Sequence, residues 1–175
     1  MPKGKKAGLT HAALLKRMGK IRLLSLDVDG ILTDGGIYYL DDGQQGRKFN
    51  SKDGMGLKEV LKAGIDICWV TASNTASILH RARALGVPHI LSDVEDKLEA
   101  LKGLINSLGI DLSEVAHMGD DVNDLPVLKA VGLPITAADG VLEVRKAAVH
   151  ITERTGGDGA VREVCDLLVA SRRRA

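Results

Sequence analysis

The stretch LLSLDVDGILTDGG, residues 23–36, carries an apolar run into two aspartates one residue apart, Asp27 and Asp29. A second acidic group, GDDVND at 119–124, adds Asp120, Asp121 and Asp124. Two carboxylates at a strand end together with Asp120 make a hard, oxygen-only site of the kind that suits magnesium, which usually works with phosphate substrates. Thr71 offers a hydroxyl and Lys97 a fixed positive charge, both suited to the oxygens of a transferring phosphoryl group. A carboxylate can attack phosphorus and form an aspartyl phosphate, splitting one difficult displacement into two easier ones. The paired arrangement lets one carboxylate attack while its neighbour two residues on handles the proton.

These residues span nearly a hundred positions, so a scaffold must bring them together. Strand-like apolar runs occur at 21–28, 65–72, 89–92, 115–119, 133–137 and 149–152. Amphipathic stretches alternate with them, several ending on glycine as helix C-termini do, and a last helix is expected from about Gly159 to Ala170. Near-continuous apolar strands separated by helices predict an α/β domain, a doubly wound parallel sheet covered on both faces. Ligands of such sheets gather beyond the carboxyl ends of the strands. Asp27 and Asp29, Thr71, and the 119–124 cluster all follow strands directly, and Lys97 opens the helix after the 89–92 strand, which places them on one edge.

Each residue taken alone has a plainer use. Asp-Gly after a strand often makes only a turn. Thr71 and Ser73 could cap a helix beginning near Asn74, and Asp124 could be an N-cap ahead of Leu125 and Pro126. A helix lysine such as Lys97 is usually solvated, and His117, inside an apolar run, suits a core position. The conjunction of all sites in order on one edge favours chemistry.

Composition narrows the classes further. The 175 residues are 45% hydrophobic and 27% charged, the balance of a globular domain, and suffice for one sizeable core. A formal net charge of +1 supplies no field for nucleic acid, although basic residues gather in PKGKK and SRRR near the ends. No run approaches the roughly 18 apolar residues of a membrane span, and no signal-peptide pattern is present. Cys68 and Cys165 show no metal-binding spacing and read as reduced core residues, so a cytoplasmic location is expected. The expected organisation is a basic extension at 1–20, one domain at 21–171, and a basic tail at 172–175.

The motifs resemble those of the haloacid dehalogenase superfamily: DVDGILTD its first motif, VTAS its second, Lys97 in EDKLEAL its third, and MGDDVND its fourth. The resemblance implies Asp27 as nucleophile and Asp29 as the acid for the leaving oxygen, then the base for water. It also implies Mg²⁺ held by Asp27, Asp29 through its backbone carbonyl, and Asp120, with Asp121 and Asp124 supporting the site. Thr71 and Lys97 would bind the phosphoryl group. A closer similarity is to the 3-deoxy-D-manno-octulosonate 8-phosphate phosphatases, which supply a sugar acid for lipopolysaccharide. RKFNSKDGMGLK, GDDVNDLPVLKAVGL and GGDGAVREVCDLL carry it. Independently, only 42 positions separate Asp29 from Thr71 and 26 separate Thr71 from Lys97, leaving no room for an inserted cap domain. Lys52 stands where those phosphatases usually place an arginine and is expected to meet the sugar carboxylate. Ala72 and Ser73 replace their usual glycine and arginine, and Asp158 stands where they usually have a basic residue. The substrate therefore stays open between a phosphorylated 2-keto-3-deoxy octulosonate and an acylneuraminate 9-phosphate. A receiver domain uses a similar residue set, but Asp29 supplies a hydrolytic base and favours turnover, and an idle binding protein would not need all four motifs filled.

Residues 36–50, GIYYLDDGQQGRKFN, read as a β-hairpin flap with arms IYYL and RKFN. Three of the chain's four aromatic residues, Tyr38, Tyr39 and Phe49, lie there. An isolated hairpin needs a surface to bury against, and the resemblance implies a homotetramer in which these side chains pack between subunits.

Overall fold

The computed structural model describes residues 9–173. In chain order the elements are α1 (His11–Met18), β1 (Leu23–Leu26), β2 (Tyr38–Tyr39), β3 (Gln45–Gly46), α2 (Ser51–Lys62), β4 (Asp66–Val70) and α3 (Ala76–Leu85). They continue with β5 (His89–Leu91), α4 (Lys97–Leu108), β6 (Val115–Met118), α5 (Leu125–Ala130), β7 (Leu133–Thr136), α6 (Leu142–Ala147), β8 (His150–Ile151) and α7 (Ala160–Arg172). Six strands form one sheet in the order β5-β4-β1-β6-β7-β8, and every pairing in it is parallel. The chain leaves β1 toward β4 on one side and β6 on the other, so the end of β1 is the topological switch point where such sheets bind ligands.

The period of two in the strands sorts their side chains between two apolar clusters. Leu24 and Leu26 of β1, with Ile67 and Trp69 of β4 and Met118 of β6, enter one cluster with residues of α1, α2 and α7. Leu23, Cys68, Val70 and Val115 point the other way, against Leu101 and Ile105 of α4 and Val127 of α5. Burial of both faces is why β1, β6 and β7 read as near-continuous apolar runs, interrupted only by the buried Ser25, His117 and Thr136. The helices that carry site residues begin on side-chain caps: Asn50 accepts from Lys52 N at 2.8 Å, and Asp96 accepts from Glu99 N at 3.0 Å, fixing the turn that starts with Lys97.

Four expectations change. The boundary expected at residue 21 lies too late: α1 forms, and its Leu14 and Met18 are buried in the larger cluster. Arg172, expected in a basic tail, ends α7 and donates to Gly19 O at 3.0 Å and Ile21 O at 2.6 Å, fastening α1 to the domain. The PKGKK segment and residues 174–175 lie outside the described residues. In the hairpin the second arm is Gln45–Gly46 rather than RKFN, with Tyr38 opposite Gly46 and Tyr39 opposite Gln45. The turn closes early through Leu40 N to Gln44 O and Gly43 N to Leu40 O, with Gly43 at φ 82. Phe49 then leaves the flap to stack on Trp69 at 6.1 Å between centroids, so it packs within its own domain. Among the described residues no further element covers the strand ends as a cap domain would.

Candidate active site

The carboxyl edge of the sheet opens into a cavity of about 650 Å³ lined by Asp27, Asp29, Thr71, Ser73, Lys97, Asp120 and Asp121, among others. Asp27 continues β1, its N–H donating to Met118 O at 2.9 Å, so the first aspartate is set by the sheet itself. The chain then turns at Gly30, φ 86, where a Cβ would collide with the Asp120 carboxylate. Thr33 Oγ1 accepts from Gly30 N and Gly35 N, each at 3.2 Å, and holds this loop. Thr71 continues β4, with its N–H bonded to Leu91 O at 2.9 Å, and its hydroxyl accepts from Ser73 N at 3.1 Å.

Beneath the cavity, Lys97 Nζ lies 2.8 Å from Asp27 Oδ1 and 2.8 Å from Asp124 Oδ1. Asp124 is fully buried, and its other oxygen accepts from Asp120 N at 3.1 Å and Asp121 N at 3.5 Å. His117, in the middle of β6, sits with Nε2 3.4 Å from Asp124 Oδ1 and Nδ1 2.9 Å from Ser25 Oγ. A serine hydroxyl donating to Nδ1 leaves the Nε2 proton for Asp124, the tautomer that satisfies both contacts. His117 is therefore a core residue, as its apolar surroundings suggest, and also a brace for the acidic cluster. Asp121 is exposed and caps the following turn through Val122 N at 2.6 Å.

Electrostatics follow from this crowding. Burial, then the Asp124 charge, push Asp27 up to about 7, with the Lys97 ammonium offsetting only part of the effect. Burial and Asp124 likewise raise Asp120 to about 6. Burial would raise Asp124 too, but donation from His117 and the Lys97 charge outweigh it and hold it near 2. Lys97 is opposed by its own burial, yet the two aspartates keep it above the ordinary lysine range.

Oxygens of Asp27, Asp120 and Asp124 all lie within 4.8 Å of one another. Three carboxylates face one ammonium, so two negative charges stay unbalanced, and an oxygen-only donor set with that deficit fits a hard divalent cation. Because Asp27 and Asp120 are raised, the metal-free folded protein binds more protons than the unfolded chain between their ordinary value of 3.8 and about 7. Its stability should fall as pH rises through that window. A cation that replaces those protons stabilises most at the top of the window. Mg²⁺ should therefore raise Tm more at about pH 7.5 than at about pH 5, and equal shifts in scanning calorimetry would contradict the assignment.

Two expected residues are not brought to the cavity. Lys52 is exposed on the first turn of α2, where helical periodicity turns its neighbour Asp53 inward to accept from Arg162 N at 2.8 Å. Asp158 is exposed in the loop before α7, whose Gly156 and Gly157 pack against the backbone of the Gly30–Asp34 loop. The cation that does reach the cavity is Arg47, its side chain only 2% exposed. Its Nε lies 2.6 Å from Asp29 Oδ1, and its Nη2 lies 3.2 Å from Asp29 Oδ2. Arg47 sits inside the RKFN segment that the sequence singles out, but nothing local separates it from Lys48 or Lys52.

A profile of the haloacid dehalogenase-like hydrolases matches residues 85–164. The 3-deoxy-D-manno-octulosonate 8-phosphate phosphatase of Escherichia coli K12 is 38% identical over 162 residues, covering 93% of this chain and 86% of its own. A phosphatase of the same name from Moraxella catarrhalis, solved with magnesium, phosphate and KDO, superposes with a TM-score of 0.89 at 39% identity over 92% of both chains. The cobalt-bound enzyme from Haemophilus influenzae gives a TM-score of 0.87 at 29% identity, covering 90% of this chain and 92% of that one.

Proposed function

Because this chain belongs to the 3-deoxy-D-manno-octulosonate 8-phosphate phosphatase family of haloacid dehalogenase-like hydrolases, we propose that it releases phosphate from 3-deoxy-D-manno-octulosonate 8-phosphate. The observation that carries the proposal is the cluster of Asp27, Asp120 and Asp124 around a single Lys97 at the end of the central strand. The chain is a phosphatase of this family, and its cofactor is Mg²⁺.

In the proposed reaction an oxygen of Asp27 attacks phosphorus in line with the departing sugar oxygen, and the P–O bond to the sugar breaks as the bond to Asp27 forms. Asp29 gives that leaving oxygen its proton, then takes one from the water that attacks phosphorus and frees Asp27. Lys97 and the Thr71 hydroxyl meet the nonbridging phosphoryl oxygens, where negative charge is concentrated. Asp27, the Asp29 backbone carbonyl and Asp120 would hold the Mg²⁺, with Asp121 and Asp124 in support. When bound, it supplies charge neutralisation for an anion approached by an anion. The cytoplasmic location stays part of the proposal, supported by Cys68 and Cys165, both free and buried. Among the described residues no helix is long and apolar enough to cross a membrane.

Phosphate release from a panel of octulosonate 8-phosphate, acylneuraminate 9-phosphate and neutral sugar phosphates tests the substrate. The eight-carbon acid should show the highest kcat/KM; a higher value on the nine-carbon acid would move the assignment there, with Ser73 and Asp158 as the positions to exchange.

Assembly belongs to the same proposal. Ile37, Tyr38, Tyr39 and Leu40 are consecutive and between 42% and 70% exposed, an apolar ridge on the flap of a single chain. We expect a homotetramer that buries this ridge, with a neighbour's flap or tail covering the cavity. Tyr38→Ser with Tyr39→Ser should lower the assembly state in analytical ultracentrifugation and slow turnover of the sugar acid. A wild-type chain sedimenting as a fully active monomer would rule this out.

A further inference from the structure

We propose that Arg47 is both the receptor for the substrate's carboxylate and a latch, which holds the hairpin on Asp29 in the free enzyme and passes from Asp29 to the sugar acid when it enters. This rests on the sugar-acid assignment above and adds the residue that reads the acid group.

Arg47 follows β3 directly, and although the flap around it is exposed, its own side chain runs inward into the cavity. Its guanidinium is held on every side. Beyond the two contacts to Asp29, Nη1 donates to Thr75 Oγ1 at 2.8 Å, and Nη2 reaches Ser73 Oγ at 3.3 Å and Gln45 Oε1 at 3.4 Å. The flap, the first-motif loop and the loop after β4 are thereby tied together by one side chain.

Both carboxylate oxygens of Asp29 face this guanidinium. A leaving-group oxygen that needs one of them meets Arg47 first. A planar guanidinium fits a carboxylate in two parallel hydrogen bonds, and an incoming sugar acid carries a second group of that same shape. Exchanging one carboxylate for another leaves the enclosed cation paired throughout, which avoids the cost of stranding it. Lys97 is the other cation lining the cavity among the described residues, and it is already committed to Asp27 and Asp124 beside the phosphoryl position. The two cations therefore divide the substrate's two anionic ends between them. A neutral phosphate ester offers Arg47 nothing and leaves it on Asp29, so the discrimination appears in kcat as well as in KM.

Arg47→Ala and Arg47→Lys are compared with wild type on octulosonate 8-phosphate, glucose 6-phosphate and p-nitrophenyl phosphate, with folding checked by circular dichroism. Arg47→Ala should lower kcat/KM on the sugar acid about a hundredfold, the loss of a charge-assisted bidentate contact, while kcat on both neutral esters rises several-fold. Arg47→Lys keeps the charge without the fork and should recover only part of the sugar-acid rate. Calorimetric binding of the dephosphorylated sugar acid should be lost in Arg47→Ala, a readout independent of turnover. Equal losses on all three substrates would overturn the proposal and make Arg47 a structural tether. A fall on the sugar acid with no gain on the neutral esters would overturn the latch. A wild-type enzyme with no preference for sugar acids would instead refute the substrate assignment itself. Should Arg47→Ala fail to fold, Arg47→Lys read on the same substrates carries the test.

Discussion

Asp27→Asn should fold normally and turn over at least about a thousandfold more slowly than wild type, roughly 4 kcal/mol of barrier. Asparagine keeps the shape and an oxygen for Lys97 Nζ, now 2.8 Å from Asp27 Oδ1, but has no carboxylate to attack phosphorus. The accompanying stability change has a definite sign. Asp27 is raised to about 7 in the folded state, so above its ordinary value its negative charge works against folding in the metal-free protein. The variant should therefore melt no lower than wild type at neutral pH without Mg²⁺, and the difference should narrow once Mg²⁺ is added. A lost rate with a lower Tm would mean that the substitution damaged the fold, and an undiminished rate would end the covalent mechanism.

Lys97→Met should be the most destabilising single change in the site. Lys97 is 4% exposed and, among the described residues, is the only ammonium shared by Asp27 and Asp124, so a side chain of similar volume without charge leaves two enclosed carboxylates facing each other. Breaking a buried pair from one side costs about 3–5 kcal/mol, and loss of the phosphoryl contact should reduce turnover by about a hundredfold or more. Denaturant melts separate the two effects. Adding Asp124→Asn to Lys97→Met should recover much of the stability, because one of the stranded charges is gone, and none of the activity. A single variant as stable and as active as wild type would show that Lys97 belongs to the surface after all.

The residues that do chemistry are legible in the sequence where the backbone alone places them. Asp27 and Thr71 are the next residues of strands buried on both faces, and Asp120 follows another such strand by two, so an apolar run followed by a polar residue locates each. The core position of His117 is legible too, but the partners of Arg47 and His117 are not, for the opposite reason. Arg47 finds Asp29 across 18 positions through a hairpin whose register is set by an early turn. His117 finds Ser25 across 92 positions through the pairing of β6 with β1. Neither partner can be read from local periodicity. Lys52 shows the converse: a basic residue of the same segment that the single chain turns to solvent, because the helix rotates Asp53 inward instead. The α1 helix escapes notice because its buried Leu14, Leu15 and Met18 are interleaved with lysine and arginine in an eight-residue element. Only the packing against α7 and the Arg172 contacts reveal it as part of the domain.

Phosphate should leave by way of an aspartyl phosphate on Asp27. The most direct measurement uses Asp29→Asn, which keeps the nucleophile and removes both the acid for the leaving oxygen and the base that frees Asp27, mixed with radiolabelled octulosonate 8-phosphate and quenched in acid at intervals from milliseconds to minutes. Label should remain on the protein, and peptide fragmentation should place it on Asp27. Label on another residue, or turnover in this variant with none retained at any time, would contradict the account.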